Sequence, residues 1–388
     1  MADLVENLFV QSEARIRKNR EFLARLWHLE NDERPGFLIG YTGPRMRGGI
    51  PVRSAMFSTE GTDTVLARLQ DPEKLYCAQL EEIAGQLSFR GDFVPTLCPT
   101  LGVVGIPSAF GCEVIWWERD FPAVRPVQGA AHALWSNTPL PSPEAGELGR
   151  ILEYTRRFCT HARSRLPIRV TDIQGPLDSA ALIAGHSNFL AAMVDRPAET
   201  HRLLHAVTEL TIAFVRRQRE VVRSMGAEFV PVMFQPWMPD GFGISVSNDE
   251  CVMISAEMHD EFCVRYLNML SEEFGGIYIH SCGDWRHQIP SLKHVRNLRG
   301  LEFGASETPF EDIAPSFSGR TVLACRVGLH RDITFNGMSD FVRHIRRSAP
   351  SNRGLFIHAD ITNGIVPEDW PETDLDEIYH LLEPPKPA

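Results

Sequence analysis

His280 and Cys282 stand two residues apart at the end of a short apolar run, in Ile277-Tyr278-Ile279-His280-Ser281-Cys282-Gly283-Asp284. Side chains at i and i+2 of a strand share a face. An imidazole and a thiol aimed at one point are half of a metal site, and the pair suits zinc. A catalytic zinc typically has three protein ligands and one open position. The same spacing also fits a capping histidine beside a buried cysteine. Cys325, His358 and Asp360, each ending a later apolar run, are the candidates for the third ligand. The plainer readings are a core thiol for Cys325 and a hydrogen-bonded buried imidazole for His358.

Eight short apolar segments could position such groups: 36–41, 91–95, 168–173, 228–234, 277–279, 298–303, 321–325 and 354–357. Helical patterns at 187–194, 198–225 and 255–274 separate several of them. Apolar strands alternating with helices imply parallel strands buried on both faces. Eight of them over more than 300 residues predict an α/β fold, a (β/α)8 barrel, with a doubly wound open sheet as the competing architecture. The strand ends gather Arg45, Asp92, Asp172, Gln235, Trp237, His280, Cys282, Cys325, His358 and Asp360 at one mouth. Residues 1–33 read as an N-terminal helical extension that stops at Glu33-Arg34-Pro35, residues 34–382 as a single barrel domain, and 383–388 as a disordered tail. The proline-rich segment 120–149 reads as a loop covering one mouth.

The chain has 388 residues, 43% of them hydrophobic and 23% charged, with a net charge of −11. That composition is of the soluble globular kind, and it argues against nucleic acid as the main partner. No apolar run has the length of a membrane span, and residues 1–22 lack the layout of a secretion signal, which predicts a cytoplasmic protein. Eight scattered cysteines agree with that location. His201 and His205 have helical i, i+4 spacing but lack the glutamate of a HExxH site. Asp249-Glu250, just before a helix, reads as N-terminal capping and dipole compensation.

These residues and their order resemble the uroporphyrinogen decarboxylase superfamily over residues 34–382. The markers are residues 170–185 (VTDIQGPLDSAALIAG), 254–262 (ISAEMHDEF), His280-Ser281-Cys282-Gly283 and residues 363–369 (NGIVPED). The resemblance implies a (β/α)8 barrel and a homodimer. His280-Ser-Cys-Gly283 is similar to the H-x-C-G of the zinc-dependent, corrinoid-linked methyltransferase branch. That branch implies zinc on His280, Cys282 and a later cysteine, a small-molecule substrate, and a corrinoid (cobalamin) carried by a partner protein. The later cysteine is replaced here by Thr362-Asn363-Gly364, which leaves Cys325, His358 or Asp360 to substitute. Asp172, Gln235, Trp237 and Asn248 are then expected to line the pocket. The metal-free decarboxylase branch implies instead an acid at Asp92, with Tyr41 and Arg45 in the substrate-holding segment, although Tyr41-Thr-Gly-Pro-Arg-Met-Arg47 departs from that branch's RQAGR pattern. A barrel that binds without catalysing is the third expectation.

Overall fold

The structure, a computed structural model, describes residues 2–40, 46–47, 50–51, 63–127, 139–163, 165–327, 334–359 and 373–383. Helix α1 (Ala2–Trp27) comes first, followed by strand β1 (Gly36–Ile39). The remaining barrel strands are β2 (Ile168–Arg169), β3 (Phe229–Val230), β4 (Ile244–Ser247), β5 (Ile277–Ser281), β6 (Leu298–Gly304), β7 (Val322–Arg326) and β8 (Leu355–Ala359). A parallel sheet runs β1-β8-β7-β6-β5-β4. Most of its residues are buried, as parallel strands covered on both faces require.

Backbone hydrogen bonds carry this sheet round into a ring. The Asp92 N–H donates to the Phe37 carbonyl (2.8 Å), and the Leu97 N–H to Pro167 (2.9 Å). The Ile168 N–H donates to Glu228 (2.8 Å), and the Ser245 N–H to Pro231 (3.0 Å). The segment around 92–97 therefore fills the place between β1 and β2, and the open-sheet alternative does not hold. No single helix among the described residues is long and apolar enough to cross a membrane.

Three sequence expectations need correction. The apolar stretch 228–234 is a strand only over Phe229–Val230, a wedge between β2 and β4. The strand that follows, β4, is not among the eight apolar segments, because Ser245 and Ser247 interrupt its apolar run. Both are buried, and the Ser245 hydroxyl accepts from the Met233 N–H (2.8 Å). Finally, α1 stops at Trp27, before the expected 33–35 boundary, and Leu29 turns left-handed (φ 60°).

The indole of Trp27 closes the N-terminal end of the barrel, packed edge-on against Tyr278 with ring centroids 5.2 Å apart. Gly300 makes this possible, since a Cβ there would lie 2.6 Å from the Tyr278 ring and 3.1 Å from Trp27. At the other end of the barrel, helix α2 (Pro176–Ala184) leaves the end of β2. The Ile183 carbonyl of α2 accepts from the Val127 N–H (3.0 Å), beside a hairpin pairing Ala123–Arg125 with Glu113–Ile115. This ties part of the expected 120–149 cover to the barrel; residues 128–138 lie outside the described residues.

Candidate metal centre

His280 and Ser247 lie side by side in the β4–β5 register, and His280 and Glu302 side by side in β5–β6. Above them the chain turns so that three unlike ligands meet. His280 Nε2 is 3.4 Å from Cys282 Sγ and 3.8 Å from Asp249 Oδ1. These three donor atoms all lie within 4.8 Å of one another, and they form the one such group among the described residues. Tetrahedral zinc with ordinary bond lengths would set its N and S ligands about 3.6 Å apart and its N and O ligands about 3.4 Å apart. A nitrogen, sulfur and oxygen donor set of this size fits that ion.

Asp249 is held in place from two sides. Its Oδ1 accepts from the Cys282 N–H at 2.6 Å. Its own N–H donates to Asp178 on α2 (2.8 Å), as does the N–H of Glu250 (2.9 Å). Ser247 Oγ donates to the same carboxylate at 3.1 Å. Burial, reinforced by the nearby Asp249 charge, pushes the Asp178 carboxyl upward despite these donors. Gly175 allows the approach of α2 to β4, because a Cβ there would lie 2.3 Å from the Ser247 carbonyl oxygen.

Behind His280 is a carboxylate that sequence reasoning missed. Glu302 bonds Nδ1 of the imidazole, and its other oxygen accepts from Arg326 Nε at 2.8 Å. Arg326 Nη2 reaches Cys282 Sγ at 3.2 Å. Ala324, beside Glu302 in the β6–β7 register, is small and leaves room for these long side chains. Burial alone would raise the Glu302 carboxyl, but the His280 and Arg326 charges hold it well below the usual range. Burial alone would equally discharge His280; Glu302 and Cys282 reverse that and raise it well above an ordinary imidazole. Phe234 stacks on one face of the imidazole, with centroids 4.4 Å apart.

The expected site residues divide sharply. Asp172 is outside the donor group but feels it: burial pushes its carboxyl up to about 6, against a hydrogen bond from Gln174 and the charge of His280. Cys325 does not join it. Neighbouring strand residues face opposite sides, and since Arg326 reaches Cys282, Cys325 points to the helix layer, fully buried. His358 shares the inward face with Arg326 by the β7–β8 register and acts on Glu302 from beyond the donor group. The third donor atom beside His280 and Cys282 comes from Asp249, read above as a cap, rather than from either of these.

Asp92 also needs correction. It lies beside Phe37, at the start of β1 and hence at the barrel's N-terminal end. Arg34 grips both of its oxygens at 2.6 Å, and the Phe37 N–H adds a third bond at 2.9 Å. Trp237 belongs to the same end: its carbonyl accepts from the Trp27 indole (2.8 Å) and Arg20 lies over its ring. The chain leaves β3 early and doubles back, which the sequence pattern did not reveal. Gln235 offers its carbonyl to the Tyr278 hydroxyl on the way. The Asn248 side chain is spent on His259 (3.0 Å) and Cys263 (3.1 Å), and its N–H on the His280 carbonyl (2.8 Å), so it braces β5 from behind. Tyr41, Arg45, Asp360 and the turn 362–364 lie outside the described residues.

Glu302 was legible in one respect: a lone carboxylate in the buried run Leu301-Glu302-Phe303 demands a partner. Carboxylates behind a metal-bound histidine fix its tautomer and orientation. Glu302→Gln is expected to weaken zinc binding about 10–100-fold, as read by competition with a chromogenic chelator.

A parallel α/β barrel with an N, S, O donor group at the C-terminal ends of its strands is a framework for metal-assisted chemistry. The chain belongs to the uroporphyrinogen decarboxylase family, whose model, uroporphyrinogen decarboxylase (URO-D), matches residues 97–323. Among solved structures, it is similar to a methyltransferase from Methanosarcina mazei, with a TM-score of 0.56 and 14% identity. That match covers 87% of this chain and 93% of the other, and it shows a common fold. No curated protein matches the sequence.

Proposed function

We propose that the chain is a methyltransferase or demethylase that moves a methyl group to or from a thiol, with zinc held by His280, Cys282 and Asp249. The observation carrying this reading is the closed triangle of unlike donors, with Nε2 3.4 Å from Sγ and 3.8 Å from Oδ1. When bound, zinc supplies the charge that keeps a thiol ionised near neutral pH. Glu302 accepts from Nδ1, which leaves Nε2 with its lone pair toward the metal position. Asp178 and the Cys282 N–H fix Asp249. Phe234 keeps water from one face of His280.

Asp172, with a carboxyl near 6, takes the proton that an arriving thiol gives up. The thiolate sulfur then forms its bond to the methyl carbon as the bond between methyl and donor breaks, the electron pair staying with the donor. A methylated corrinoid on a partner protein is the donor class this reading favours. The chain itself carries no DxHxxG cobalamin signature.

Zinc-loaded protein supplied with methylcobalamin and a small thiol is expected to yield the methyl thioether, detected by mass spectrometry, with the matching change in the corrinoid spectrum. No thioether above the protein-free rate, with zinc demonstrably bound, would contradict the assignment.

A further inference from the structure

His259 and Asp260 lie in the segment 254–262 and take no part in the donor group. His259 is fully buried, yet both of its ring nitrogens are engaged. Nδ1 lies 2.5 Å from Ser291 Oγ, and Nε2 lies 3.0 Å from Asn248 Nδ2. The proton inventory admits one direction through these bonds. Against the cost of burial, bonds from His294 and Ser291 hold the Asp260 carboxyl below its usual range. As a carboxylate it only accepts, so the Ser291 hydroxyl donates to its Oδ1 at 3.0 Å. Ser291 Oγ must then accept from His259 Nδ1–H, which leaves Nε2 with its lone pair to accept from the Asn248 amide N–H. The Asn248 Oδ1 in turn accepts from the Cys263 thiol at 3.1 Å. Burial pulls the His259 imidazole down to about 4, against the charge of Asp260, so the ring is neutral, as this order requires. Burial likewise raises the Cys263 thiol well above its ordinary value and keeps its proton in place. His294 Nδ1 adds a further bond to Asp260 Oδ1 at 2.8 Å, which anchors this end of the chain of bonds.

Asn248 is where these bonds meet the donor triangle. It directly precedes Asp249. Its N–H donates to the His280 carbonyl (2.8 Å), and its own carbonyl accepts from the hydroxyl of Ser281 (3.2 Å), which stands between His280 and Cys282. Its backbone (φ −149°, ψ 51°) belongs to neither strand nor helix, so these bonds set its conformation rather than a regular element. The side chain is gripped at both ends, by His259 and by Cys263, four residues apart along the helical segment 256–274. The turn that carries Cys263, Asp260–Val264, is a π-helix, a wide turn frequent at functional sites.

We propose that His259 is a positioning residue of the metal centre: it fixes the Asn248 amide, and through Asn248 the Asp249 carboxylate and the end of β5 that carries His280 and Cys282. The inference rests on the zinc reading above, but concerns where the donor atoms stand rather than what the metal does. A displaced Asn248 would move one donor against the other two, and a zinc site tolerates little of that. The competing role for His259 is packing alone. Two amide substitutions separate the roles. In His259→Gln an acceptor can stand where Nε2 stands and meet Asn248, whereas in His259→Asn the side chain reaches only as far as Nδ1 and serves Ser291.

The test is zinc affinity by chelator competition, with cobalt(II) absorption as the probe of donor geometry, on wild type, His259→Asn, His259→Gln and Ser291→Ala. His259→Asn is expected to lose about 10–100-fold in zinc affinity, as for other residues behind a metal ligand, while His259→Gln stays within about threefold of wild type. The sulfur-to-cobalt charge-transfer band and the visible bands should shift in His259→Asn and hold in His259→Gln. Ser291→Ala leaves Nδ1–H without its acceptor and should cost at least about threefold, the worth of one hydrogen bond. It carries the test if His259→Asn fails to fold. Wild-type affinity and spectrum in either His259→Asn or Ser291→Ala would overturn the assignment. So would a loss in His259→Gln as large as in His259→Asn, the mark of packing alone. Wild type that binds neither metal would remove the zinc reading and this inference with it, whereas a metal-binding wild type with unaffected variants removes the inference alone.

Discussion

Cys282→Ala is expected to bind zinc at least about a hundredfold more weakly than wild type, beyond the loss from removing a supporting residue, and to lose methyl transfer with it. Cys282 supplies the one sulfur of the donor group, 3.4 Å from Nε2. Its removal also takes from Arg326 the sulfur acceptor at 3.2 Å, leaving the bond to Glu302 at 2.8 Å. The residual site would be one nitrogen and one carboxylate beside a guanidinium, a poor match for a divalent cation. Stability should change little by comparison, because the Cys282 side chain lies near the mouth and is not fully buried. The readouts are zinc affinity by chelator competition and thioether formation, with thermal melting as the control. A variant that keeps zinc affinity within a few-fold of wild type would remove Cys282 from the ligand set.

The second large effect is expected far from the chemistry. Asp92→Asn should destabilise the fold by about 2 kcal/mol, a charged pair's worth, reduced because Arg34 keeps partial contact with solvent. Arg34 is 19% exposed at its side chain and Asp92 only 2%. Two bonds of 2.6 Å are weakened together, at the point where the 92–97 segment meets β1. Zinc affinity and methyl transfer per folded molecule should remain at the wild-type level, since the pair stands at the N-terminal end of the barrel. A decarboxylase centred on Asp92 would show the reverse, with activity lost and stability held. Urea unfolding beside the activity assay separates the two outcomes.

The parallel barrel was legible because strands buried on both faces leave continuous apolar runs, and all eight runs lie in or beside the ring. The strand Ile244–Ser247 was missed for a chemical reason. Small serines can be buried with their hydroxyls satisfied by backbone, and in sequence they look like loop. Two thirds of the donor group was legible for a geometric reason: His280 and Cys282 are close in the chain, and strand alternation relates them. Asp249 is 31 and 33 residues away from them, and local capping explained it well enough to hide its second role. Choosing Cys325 failed for the converse reason. It stands at the right height in the barrel, but alternation turns it to the helix layer while Arg326 takes the inward place. Side-chain facing, which depends on register, decided what strand position alone could not.

The most direct test of the account is elemental analysis of protein purified without chelator, with zinc offered to a second sample. About one zinc per chain, bound by wild type and lost on dialysis against a chelator, is the predicted result. Protein that stays free of zinc even when the ion is supplied at excess would contradict the metal centre and the thiol chemistry built on it.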